Sequence, residues 1–274
     1  MSLATDRLAQ RPGPRIANLT LTCLFLGLWL GSPCLRAQEF PPWGADEEQI
    51  LEALEHGELV SREPIGHGVT KPDRVVLHYE GRDYQAAWKT VQKDERDKPS
   101  ESYKAEAAAY RLSRLLQLSH VPPTVVRQLG RQTGSLQYWV EGVQPFHDVE
   151  KRIPGAAKFT KDYSRMRVFD RLLHNPDRNK YNFLVTPDGR LVFIDHSRAL
   201  SFDSHSKSKV KEMPSTLDRR LLERLGELDL EMLQAEIGDL VAGYRIRALL
   251  KERDRILRLA EEDVAKRGKN ILFD

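Results

Sequence analysis

The sequence predicts an α+β chain in two lobes, a small one built on an antiparallel sheet with one helix and a larger, mainly helical one. Three observations predict it. Short strand-like runs broken by glycine turns fill residues 58–91 and 124–140. Leucine stripes at helical spacing fill residues 216–265. Between them, residues 168–200 read VFDRLLHNPDRNKYNFLVTPDGRLVFIDHSRAL, which places a helix end, a polar loop, a short hairpin and a further acidic residue in one stretch.

Residues 1–37 differ from the rest. Arg7, Arg11 and Arg15 precede an uncharged apolar run from Ile16 to Leu30, followed by Gly31-Ser32-Pro33 and Leu35-Arg36-Ala37. That order of basic, apolar and small-residue regions is a secretory signal peptide, with cleavage expected after Ala37 and export to the periplasm or beyond. An uncleaved membrane anchor is the alternative. The run is short for a span. Both cysteines, Cys23 and Cys34, lie in this segment, so the chain from Gln38 onward has no disulfide to form. The segment also holds four Arg and one Asp, which accounts for the whole formal charge of +3 and leaves the remainder neutral. No basic face is in prospect, and nucleic-acid binding has no electrostatic footprint.

Residues 38–57 form an N-terminal extension with one short amphipathic helix, in which Ile50, Leu51 and Leu54 follow an acidic first turn. The small lobe then runs over residues 58–142. Leu59-Val60 leads into a glycine loop with Gly66 and Gly68. A strand from Arg74 to Tyr79, a Glu80-Gly81-Arg82 turn and a strand through Ala86-Ala87-Trp88 to Lys89 follow. Residues 101–118 outline an amphipathic helix with Glu106 in its first half; Glu101 is the other acid near its start. Residues 124–129 and 135–140 read as strands about a Gly130 to Gly134 turn, ending in Tyr138-Trp139-Val140-Glu141-Gly142.

The large lobe covers residues 143–274. After an irregular stretch to residue 159, a helix over 161–173 buries Phe169, Leu172 and Leu173. It is expected to stop near His174-Asn175-Pro176, because proline disfavours helix in the residue before it. Phe183-Leu184-Val185 and Leu191-Val192-Phe193-Ile194 flank Pro187-Asp188-Gly189, which is hairpin chemistry. Residues 201–213 are rich in Ser and Lys and read as a loop. The helices beyond carry core stripes and solvated charges.

The hairpin brings Asp177, Asn182 and Asp195 to one end of a two-stranded ribbon. Phosphoryl transfer needs such a set. One carboxylate orients or deprotonates an attacking hydroxyl, while an amide oxygen and a second carboxylate hold magnesium or manganese ions that bridge nucleotide phosphates. The D-x-x-x-x-N spacing is that of a kinase catalytic loop. Glycine loop, strand lysine and helical glutamate precede it in the order in which a kinase covers a triphosphate and pairs the lysine.

The segment resembles the catalytic core of the atypical kinases, which include the type II phosphatidylinositol 4-kinases, the secretory-pathway kinases of the Golgi casein kinase type and the HipA kinases. The carrying motifs are Asn175-Pro176-Asp177-Arg178, in place of His-Arg-Asp, and Ile194-Asp195-His196, in place of Asp-Phe-Gly. The resemblance spans residues 58–265 and implies a two-lobed protein-kinase-like fold. It implies that Asp177 is catalytic and that Asn182 and Asp195 bind metal. It further implies that Lys89, positioned by Glu106, contacts ATP phosphates under Gly66 and Gly68, and that the hinge at Glu141 meets adenine. The resulting expectation is an exported or membrane-associated phosphotransferase that uses ATP and Mg²⁺ or Mn²⁺. The acceptor is a hydroxyl on a protein, lipid or sugar. A nucleotide-binding pseudokinase and a kinase-fold adenylyltransferase remain the alternatives. Arg171 and Arg178 flank Asp177, and bracing is the expected role of Arg178. His174 and His196 are expected to be structural.

Overall fold

Helix α1 (Glu47–His56) is the first helix among the described residues, and its apolar face shows why it forms: Ile50, Ala53 and Leu54 lie on one side and are buried. The structure is a computed structural model that describes residues 41–44, 46–66, 72–93, 100–152, 156–202 and 212–274. Residues 1–37, expected to be a signal segment, with Cys23 and Cys34, and likewise Gly68 and most of the Ser- and Lys-rich stretch, fall outside these residues.

Five antiparallel strands follow in the order β1-β2-β3-β7-β6, where β1 is Glu58–Pro64, β2 Asp73–Tyr79, β3 Arg82–Lys89, β6 Thr124–Leu129 and β7 Gln132–Tyr138. Between β3 and β6 come the short pair β4 (Gln92–Lys93) and β5 (Glu101–Ser102) and helix α2 (Tyr103–Leu115). Glu80 and Gly81 both have positive φ, 48° and 76°, so β2 and β3 are joined by the two-residue turn whose twist matches that of its strands. The β6–β7 connection is also two residues, Gly130-Arg131, because Leu129 pairs directly with Gln132. This is shorter than the turn expected from the two glycines. Gly134 lies inside β7, where a Cβ would stand 2.3 Å from the Lys89 carbonyl oxygen. Its smallness serves a close approach between strands and not a turn.

Two hydrophobic clusters mark the two lobes. The smaller joins α1 to one face of the sheet through Leu54, Val75, Leu77, Ala86, Trp88 and Leu136. Arg127 fixes α1 further by donating to the carbonyls of Leu54 and Gly57 at its C-terminal end. The larger cluster takes one face of α2, with Ala108, Leu112 and Leu116, together with the helices of the second lobe. Helix α2 therefore packs on the large lobe while its other residues reach the sheet.

The large lobe starts with β8 (Gln144–Pro145) and the one-turn α3 (Phe146–Val149), then α4 (Ala156–Leu172). Strands β9 (Phe183–Val185) and β10 (Leu191–Phe193) form the hairpin, with β8 on the outer side of β9. Strands β11 (Leu217–Asp218) and β12 (Leu272–Phe273) pair in parallel around α5 (Arg219–Glu227), α6 (Leu230–Ile237) and the long α7 (Gly243–Arg267). Asp218 and Asp229 cap α5 and α6 by accepting from the N–H groups of Leu221 and Met232. Among the described residues no helix is long and apolar enough to cross a membrane.

Candidate active site

Helix α4 ends where the sequence sets a stop. His174 adopts φ 48°, and its N–H donates to the Arg171 carbonyl while that of Asn175 donates to Asp170. This is a left-handed helix cap with its two return hydrogen bonds, made by a histidine instead of the usual glycine. Pro176 then prevents continuation. Asn175 turns the chain outward. Its side-chain oxygen accepts from the Asp177 N–H at 3.1 Å, and its amide donates to Asp170 Oδ1 at 2.9 Å.

Arg178 holds the loop from behind. Its guanidinium donates to both Asp170 oxygens, at 2.8 and 2.9 Å, to the Ile194 carbonyl at 2.6 Å and to the Asn182 carbonyl. One arginine thus joins α4, the loop that carries Asp177 and Asn182, and the residue before Asp195. It braces backbone and not the Asp177 carboxylate. Its Nη2 also lies 2.9 Å from His196 Nε2, and burial together with that cation drives the His196 pKa well below its ordinary value, so this histidine is neutral. Arg171 and His174 turn away to Glu252 on α7, at 3.0 and 3.1 Å.

Asp195 follows β10 with φ 59°, a left-handed conformation uncommon outside glycine and associated with functional sites. Its turn aims the next N–H, that of His196, at Glu106 Oε2, 2.9 Å away. The other oxygen of Glu106 takes Lys89 Nζ at 2.5 Å, and Lys89 also reaches Asp195 Oδ1 at 2.8 Å. Burial alone would lower the Lys89 pKa, but the two carboxylates hold it above its usual value. Burial alone would raise Asp195, but the Lys89 charge and hydrogen bond overcome it and keep the carboxyl at about 2. The predicted lysine, glutamate and Ile-Asp carboxylate therefore meet in one hydrogen-bonded cluster. Glu101 is not the partner of Lys89: it sits before the helix starts, because Ser102 caps α2 by accepting from the Lys104 N–H.

Asn182 and Asp177 complete the ribbon end. Ile194 N–H faces the Asn182 carbonyl at 3.3 Å, and the Asn182 amide nitrogen donates to the Asp177 carbonyl at 2.8 Å, so the amide oxygen is the atom of this side chain able to coordinate a cation. An ionised carboxylate and an amide oxygen are hard ligands suited to Mg²⁺ or Mn²⁺, ions that complete their shells with water and substrate phosphates. Among the described residues no group of three His, Cys, Asp or Glu is placed to hold a metal ion. Gly66 lies at the end of β1 with φ 75° and open space about its Cα. At the hinge, the Trp139 N–H donates to the Gln85 carbonyl, Arg74 covers the Trp139 ring at 4.7 Å, and Glu141 is exposed beside Gly142.

The sequence model of the phosphatidylinositol 3- and 4-kinases matches residues 72–238, more than half of the chain. The chain belongs to that family. Among curated proteins none matches it in sequence. Solved structures show that this family member has the two-lobed kinase fold. A hydra Fam20 structure with sugar superposes with TM-score 0.61 at 16% identity, covering 84% of this chain and 93% of that one. The Golgi casein kinase gives 0.62 at 15% identity, over 82% and 79%. The Helicobacter pylori proinflammatory kinase CtkA gives 0.52 at 13% identity, over 76% and 97%.

Three participants were not singled out from the sequence. Asp170 carries a signal: it is an acidic residue set between the buried Phe169 and Leu172 near the end of α4. The role of the His196 backbone N–H carries none. Arg198, three residues past Asp195, looked like any loop arginine, yet it binds Glu101 and approaches Asp177.

Proposed function

We propose that the protein is an atypical kinase that transfers the γ-phosphoryl group of ATP to a hydroxyl group on a protein, lipid headgroup or sugar. The observation that carries this is the hydrogen-bonded cluster of Lys89, Glu106 and Asp195 at the ribbon end that also holds Asp177 and Asn182.

In this reading the ATP phosphates lie beneath the loop that begins at Gly66 and includes Gly68, and the adenine meets backbone at Tyr138 to Gly142, next to Glu141. Lys89 contacts the phosphates. Glu106 keeps it aimed there, and because Glu106 also binds the His196 N–H, the lysine and Asp195 are set by one carboxylate. Asn182 and Asp195 would hold a divalent ion, whose chemistry there would be to neutralise phosphate charge. Asp177 accepts a hydrogen bond from the acceptor hydroxyl and takes up its proton. The hydroxyl oxygen bonds to the γ-phosphorus as the bond to the β-phosphate oxygen breaks, and ADP leaves. Residues 1–37 support action on the exported side of a membrane or at its surface.

The test is metal-dependent ATP turnover and label transfer by the full chain, beside Asp177→Ala and Asp195→Ala. Transfer with Mg²⁺ or Mn²⁺ that is lost in both variants is the expected result. Nucleotide binding without turnover above that of the variants would leave a pseudokinase instead.

A further inference from the structure

Arg198 stands apart from the other cations of the site. Its Nε and Nη2 reach Glu101 Oε1 at 2.6 and 2.5 Å, and its Nη1 lies 3.3 Å from Asp177 Oδ2. Glu101 is nearly inaccessible, with 5% of its side chain exposed, so it anchors the guanidinium to the segment that leads into α2. The hydrogen bond from the Ser102 N–H to the Ser197 carbonyl, 2.7 Å, fixes the same two segments through backbone. A long, flexible side chain is therefore held in one place before any substrate arrives.

Exposure separates working groups from supporting ones. Side-chain accessibility is 34% for Asp177, 29% for Asp195 and 26% for Arg198, against 1% for Glu106 and 3% for Arg178. The three groups are accessible to solvent, and Arg198 shares electrostatic contact with both carboxylates. Asp177 marks the acceptor end of the reaction and Asp195 the nucleotide end. A group in transfer between them gathers negative charge on its equatorial oxygens. Lys89 is already committed to Glu106 and Asp195, and Arg178 is turned to Asp170 and backbone carbonyls.

We propose that Arg198 is a catalytic residue that donates hydrogen bonds to the phosphoryl group in flight, with Glu101 as its anchor. The proposal rests on the phosphotransferase reading. The guanidinium exchanges its contact with the Asp177 carboxylate for the phosphoryl oxygens, and it moves no proton. The planar fork suits a phosphoryl group, and lysine would replace it only as a point charge.

The test uses the full chain with ATP and Mn²⁺, comparing wild type, Arg198→Ala, Arg198→Lys, Glu101→Gln and the double variant Glu101→Gln/Arg198→Ala. Arg198→Ala alone leaves Glu101 without its arginine and is open to misfolding; the double variant removes that buried charge together with its partner. The expected result is that the double variant, relative to Glu101→Gln, loses about 100-fold or more in kcat with little change in the KM for ATP. Added guanidinium ion restores part of kcat to both alanine variants, and lysine restores less than arginine. Equal kcat in Glu101→Gln and the double variant, or a loss confined to KM or thermal stability with no guanidinium rescue, would overturn the assignment of Arg198 while the kinase reading stands. Absence of transfer in wild type would overturn both.

Discussion

Glu106 is the residue on which the site turns, because a single carboxylate with 1% exposure holds Lys89 with one oxygen and the His196 N–H with the other. Replacing it with glutamine keeps an acceptor for that N–H and removes a charge beside Lys89. Glu106→Gln is predicted to fold and to lose about 100-fold in kcat/KM for ATP, since a misplaced catalytic group costs on that order; steady-state kinetics read it. Arg178 is predicted to matter for stability as well as activity. Arg178→Ala leaves Asp170 buried without its cation, and urea denaturation should show a loss of about 3–5 kcal/mol. That Lys89, Glu106 and Asp195 meet, and that Asn182 lies against Asp177, was legible from the sequence because each follows a local signal: a strand end, a helix phase, a loop spacing, a hairpin exit. The second oxygen of Glu106 and the fork of Arg178 were not legible. They join residues 90 and 16 positions apart, and only packing brings such groups together.

At the scale of elements, the β9–β10 hairpin carries Asp195 and is closed by a turn with its own charge. Asp188 accepts from the Thr186 hydroxyl at 2.6 Å and from Arg190 Nε at 2.9 Å, and these bonds outweigh a small burial effect to hold its carboxyl at about 2. A folded pKa below the unfolded value of 3.8 means that the turn gains stability above about pH 4 and loses it as pH falls through 2. An NMR titration should therefore find the Asp188 carboxyl titrating near pH 2, and Asp188→Asn should destabilise the chain at pH 6 more than at pH 2. In the small lobe, Gly134→Ala would set a Cβ against the Lys89 carbonyl and the Trp88 ring, at 2.3 and 2.9 Å. About 1–3 kcal/mol of stability should be lost on that account, measurable by denaturation. Strand and helix order followed from periodicity, but the ends did not. Gly134 read as a turn residue because a glycine needed for close approach is indistinguishable, in sequence, from one needed for φ.

For the whole molecule, α2 couples the lobes. One of its faces belongs to the large core with Leu112 and Leu116, while Glu106 on the same helix reaches the end of β3. The affiliation of α1 with the sheet and of α2 with the large lobe follows from burial of specific faces, which an amphipathic stripe announces without naming its partner. The central claim is that this arrangement transfers the γ-phosphoryl group and that Asp177 serves the transfer, not nucleotide binding. Single-turnover transfer from γ-labelled ATP, measured in wild type and Asp177→Ala at matched saturation with Mn²⁺ and nucleotide, tests it most directly. The account predicts equal nucleotide affinity and a rate lower by about 1,000-fold or more in the variant, within the range that positioning and acid–base assistance supply together. Equal rates in the two proteins, or transfer of label from α-labelled ATP with none from γ-labelled ATP, would contradict it.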